Sequence, residues 1–91
     1  MSDTVWKYTL GDTVNHVSMP AGAEVLTVAE QYGEIALWAR VDPKAAPVRR
    51  TFYVVGTGTP IPDGPTTYLG TAVTSNGTLV FHVFEQTGGG Q

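Results

Sequence analysis

"AEVLTVAEQYGEIALWARVD", residues 23–42, decides the fold. Its alanine, glutamate and leucine content suits a helix. Against that stand β-branched Val25, Thr27 and Val28, the Tyr32-Gly33 break, and the apolar run IALWARV that follows. β-branched residues lose side-chain freedom in a helix and fit a pleated surface. The stretch therefore predicts two strands parted at Tyr32-Gly33. Asp42-Pro43 closes the second, because proline restricts the residue before it and has no N–H to donate.

The same signals recur on both sides. TVWKYTL (4–10) alternates Trp6, Tyr8 and Leu10 against Val5, Lys7 and Thr9, the period of a half-buried strand. VNHVSM (14–19) is a short strand stopped by Pro20 and Gly22. After the loop KAAPV, RRTFYVVG (49–56) is rich in aromatic and β-branched residues. TGTPIPDGP (57–65) is too dense in glycine and proline to be regular. TTYLGTAVT (66–74) follows, with Gly70 marking a bulge or a close approach. Asn76-Gly77 is a strong hairpin signal, and LVFHVFE (79–85), apolar on both faces, reads as a central strand.

About seven strands and no convincing helix predict an all-β fold. A single wide sheet would leave one apolar face wet, so the expectation is a small antiparallel β-sandwich or barrel. It forms one domain over residues 1–85, with a flexible Gly-rich tail at 86–91.

Composition narrows the function. The chain has 91 residues, 42% of them apolar, which suits one modest core. The absence of cysteine excludes disulfides, thiolate metal sites and cysteine nucleophiles. The N-terminus lacks the basic and apolar regions of a signal peptide, and no apolar run nears the ~20 residues of a membrane span. The expectation is a cytoplasmic protein with no membrane association. A net charge of −3 argues against general nucleic-acid binding.

Charge distribution is more telling than its sum. Of five basic side chains, Arg40, Lys44, Arg49 and Arg50 crowd into residues 40–50, and Lys7 is the fifth. If Arg40 and Arg50 face each other across a hairpin, Trp38 and Phe52 fall side by side. Guanidiniums beside flat rings can hold a phosphate and stack a base. Tyr53 adds a ring, and Gly56, Thr57, Gly58 and Thr59 offer N–H and hydroxyl donors, although Pro60 and Pro62 rule out a helix-opening phosphate loop. The competing reading puts Trp38 and Phe52 in the core, with arginine stems capping their edges. His82, inside VFHVF, reads as a hydrogen-bonded core residue. With His16 as the other histidine, no metal site is expected. No carboxylate has a convincing acid–base partner, so no enzyme and no cofactor are expected.

The series WKYTL, MPAGAEVLTV, ALWARVDP, RTFYVVGTGTPIP, YLGT and LVFHVFE resembles a family of small proteins of unknown function from bacteriophage genomes and prophage regions. The similarity spans residues 5–85. It carries no catalytic residues to transfer and implies a setting, a phage accessory protein in the cytoplasm of an infected bacterium. In that setting, the expected function is binding and sequestering a phosphorylated nucleotide immune signal, a cyclic dinucleotide or a cyclic ADP-ribose derivative. This would be a homo-oligomer using Trp38, Arg40, Arg49, Arg50, Phe52, Tyr53 and Gly56 to Thr59. The alternative is a protein–protein module, a host-factor inhibitor or a small virion or assembly component, with no small-molecule ligand.

Overall fold

The structure is a computed structural model that describes residues 2–74 and 76–88. Seven strands run β1 (Thr4–Thr9), β2 (Val14–Pro20), β3 (Glu24–Gln31), β4 (Glu34–Val41), β5 (Pro47–Gly56), β6 (Thr66–Val73) and β7 (Val80–Gln86). They form two antiparallel sheets, ordered β1-β4-β3 and β2-β5-β7-β6. The sheets stack as a sandwich and do not close into a barrel. A Cα envelope 16 Å thin in one direction agrees with two layers about 10 Å apart.

Residues 23–42 supply the hairpin at the centre of this arrangement. Tyr32 and Gly33, at φ 53° and 81°, form a two-residue turn between β3 and β4. Two positive φ angles give the twist that antiparallel strands prefer. In β4 the pleat sends Ile35, Leu37, Ala39 and Val41 inward, all buried, and Trp38 and Arg40 outward. From the facing sheet Met19, Phe52, Ala72 and Val83 complete the core. β7 lies between β5 and β6, as its apolar faces predict.

One expectation fails here. β4 and β5 do not form a hairpin: β4 pairs with β1 and β3, while β5 pairs with β2 and β7. The intervening turn, where Ala45 N bonds Asp42 O, carries the chain from one sheet to the other. The link after β2 crosses in the opposite sense, and Ala21 N bonds Ala46 O to join the two crossings. Arg40 therefore faces Val5 and Glu24, whereas Arg50 faces Val17.

Residues 57–65 make another kind of connection. β5 and β6 run parallel with β7 between them, so this segment must travel the length of β7. It is tied at one end by Thr57 N to Val80 O and at the other by Thr87 N to Pro65 O. The inner face of the sheet is already filled, so the segment lies on the outer face. Tyr53 and Val55, which point to that outer face, are buried.

Gln86, the first residue of the expected tail, ends β7; Thr87 and Gly88 follow it, and residues 89–91 lie outside the described residues. Asn76-Gly77 closes the β6–β7 hairpin within a longer loop, where Asn76 Oδ1 accepts from Thr78 N and the Thr74 and Thr78 hydroxyls.

Gly70 fills both expected roles. The β6 register shifts between Tyr68 and Gly70, and a Cβ there would sit 3.2 Å from Val28 Cβ on the opposing sheet. Gly70→Ala should lower unfolding stability by about 1–3 kcal/mol through overpacking. Chemical denaturation should show that Val28→Ala relieves much of this added cost. Equal cost in both backgrounds would mean the sheets do not meet at this point.

Candidate functional site

The strand lengths create an opening. β5 continues to Pro47 along β2, whereas the β5–β7 pairing begins at Phe52 opposite Glu85. Beyond that point β5 has no neighbour on the β7 side. The resulting groove, about 540 Å³, is lined by His16, Arg49, Arg50, Thr51, Glu85 and Gln86, with Gly88 at its rim.

Its two arginines are chemically different. Arg50 points inward and is one-fifth exposed; its Nε and Nη2 donate to Glu85 Oε2 and Oε1 at 2.6 and 2.8 Å. Nη1 donates to Ala23 O at 2.6 Å, on the chain leading into the other sheet. The guanidinium lies over the Phe52 ring, 5.7 Å from its centroid. Hydrogen bonding to Glu85 raises its pKa above the ordinary arginine value, with burial opposing. Arg50 is therefore an internal clamp, with three of its five N–H groups committed to the fold.

Arg49, one residue along, points to the opposite face and is exposed. Among the described residues it makes no ion pair, which leaves its charge available. Thr51 lies on the same face, and its hydroxyl is 3.0 Å from His16 Nδ1. Together Arg49, His16, Thr51 and Gln86 offer a cation and polar side chains to a small anion. The Glu85 carboxylate in the groove wall is already neutralised by Arg50.

The other expected site residues are dispersed. Arg40 is on the outer face of the three-stranded sheet, where its Nε donates to Asp3 Oδ2 at 2.9 Å. Trp38 is half-buried on that same face, under Lys7. Phe52 is fully buried, and Tyr53 is covered on the outer face of the other sheet. Neither ring is open to a base.

Gly56 to Thr59 lies at the end of β5 away from the groove. It is a turn in which Thr59 N bonds Gly56 O and Gly58 takes φ 90°. The Thr57 and Thr59 N–H groups are thus used within the chain. His82 is half-buried on the outer face and not in the core; its ring lies between Thr57 Oγ1 (2.8 Å) and Thr71 Oγ1 (3.0 Å).

Sequence reasoning missed His16, Thr51, Glu85 and Gln86 as groove residues. The signal for Glu85 was available: a carboxylate two residues after buried Val83 shares its inward face and needs a cation.

These features define a small β-sandwich with an internally clamped arginine and an open cationic groove. The chain belongs to the DUF7352 family, a domain of unknown function, which matches residues 1–91. No curated protein and no solved structure matches it.

Arg50→Ala and Glu85→Ala should each destabilise the protein by about 3 kcal/mol, because each strands a largely buried charge. In urea titrations the double substitution should cost far less than the sum; additive costs would mean the two groups do not interact.

Tyr8 provides a separate test. Its Oη is buried without a hydrogen-bond partner among the described residues. Burial pushes the phenol pKa up, partly offset by Arg50. Below the unfolded value of 10.0 both states keep the proton, and above it the unfolded chain releases it first, so stability falls. Tyr8→Phe should unfold no more easily than wild type at neutral pH and lose less stability between pH 9 and 11. An equal alkaline loss in both would remove Tyr8 as its source.

Proposed function

We propose that this protein is a non-enzymatic binder that captures a small phosphorylated molecule of the nucleotide class and holds it unchanged. The observation that carries this reading is the groove beside Arg49. Its volume, about 540 Å³, falls within the roughly 300–1,000 Å³ of small-molecule sites. Its free charge is a guanidinium suited to bidentate phosphate binding. In the proposed setting, a phage accessory protein in the host cytoplasm, the captured molecule is a nucleotide immune signal and capture withholds it from its receptor.

The groove also limits what is recognised. Its lining residues include no Phe, Tyr or Trp, so phosphate oxygens carry most of the affinity and the His16 imidazole is the ring left to meet a base. Arg50 supports the wall through Glu85 and contributes its remaining N–H groups. The protein-docking alternative has separate support in the exposed rings of the three-stranded sheet.

Thermal unfolding with pyrophosphate, ADP-ribose and cyclic dinucleotides tests this, since a native-state ligand raises the midpoint by mass action. At least one should raise it, and Arg49→Ala should weaken binding about tenfold or more, as for a charged hydrogen bond. Ligand recovered after denaturation should be chemically intact. No shift with any of them at millimolar concentration would refute the reading, and altered ligand would make the protein an enzyme.

A further inference from the structure

The outer face of the three-stranded sheet carries a feature that the groove does not use. Tyr32 occupies a left-handed conformation, φ 53°, that bulky side chains rarely adopt, and it is 89% exposed. Asparagine or glycine would fit this turn position with less strain. Strain that projects an aromatic ring into solvent is a mark of a binding residue.

The ring does not stand alone. Lys7 Nζ lies 5.6 Å from the Tyr32 centroid and 5.9 Å from that of Trp38, fixed by a 2.6 Å bond to Gln31 Oε1. Two rings therefore flank one ammonium. Val5 and Leu26, 53% and 49% exposed, extend the apolar surface.

The opposite broad face of the molecule carries a complement. The segment across β7 presents Pro60, Ile61 (47% exposed), Pro62 and Asp63. Prolines hold the chain extended and lose little entropy on docking, and aromatic-lined faces are their usual receptors. The Asp63 carboxylate has no ion pair among the described residues, and neither has the Lys7 ammonium, so their charges match. The ring face carries a cation and the proline segment an anion, so each surface complements the other better than itself.

We propose that the chain self-associates head to tail. Pro60-Ile61-Pro62 of one copy seats against Tyr32 and Trp38 of the next, with Asp63 meeting Lys7. The two surfaces lie on opposite faces of a thin slab, so each added copy presents a fresh ring face. One short segment on one face covers less than the ~800 Å² per partner of a standard stable interface. Association is accordingly weak and concentration-dependent, and it does not stop at a dimer.

Sedimentation velocity from 10 µM to 1 mM tests this. Wild type should grow steadily with concentration past the dimer. Tyr32→Asn, which relieves the turn while removing the ring, should stay monomeric with an unchanged or higher melting temperature. Ile61→Ala should also stay monomeric. Mixing the two variants should give a 1:1 dimer and nothing larger, since each keeps the surface that the other lacks. Wild type remaining monomeric at 1 mM would overturn the proposal and leave the ring face to a different protein. Unimpaired growth of either variant, or no pairing in the mixture, would also overturn it.

Discussion

A single guanidinium sets the limits on what this molecule can do. Arg50 stands on the inward face of β5, binds Glu85 on β7 with two hydrogen bonds, and reaches Ala23 O on the link to the opposing sheet. A largely buried cation needs hydrogen-bond partners and a counter-charge, and these contacts supply both, using three of its five N–H groups at one end of the sandwich. With Phe52 beneath it, the clamp closes the core where β7 ends and β5 continues. The same mismatch of strand lengths opens the groove on the outer side. Clamp and groove thus have one structural cause.

The cationic cluster of residues 40–50 is therefore not a cluster in space. Arg40 is compensated by Asp3 on one sheet, Arg50 by Glu85 within the other, and Arg49 is left uncompensated. Any anion-binding role falls chiefly to Arg49 and the polar side chains around it. Of the rings expected beside it, Phe52 is buried in the core, Tyr53 is covered, and half-buried Trp38 lies on the outer face of the other sheet. The free guanidinium and the exposed Tyr32 ring consequently do not share one pocket.

The strands were legible because their physics is local. Alternation in residues 4–10, β-branching in 25–28 and proline after Asp42 each act within a few residues. Gly70 was legible for the same reason, since a glycine inside a strand pattern needs a special cause. Sheet membership was not legible. The turn after Val41 is short enough for a hairpin, and nothing in it shows that the chain leaves one sheet for the other. That choice scattered the expected site. Glu85 was missed because its partner lies 35 residues away in sequence, and Tyr32 because the turn signal resides in Gly33 while the strained conformation falls on its neighbour.

The central claim is that Arg50 belongs to the fold and Arg49 to the solvent. Nitrogen-15 NMR of the arginine side chains tests it directly, because an Nε proton held in a buried bond exchanges slowly with water. The account predicts a sharp, protected Arg50 Nε–H signal at neutral pH and rapid exchange at Arg49. Comparable rapid exchange at both, or protection at Arg49 with Arg50 unprotected, would contradict it.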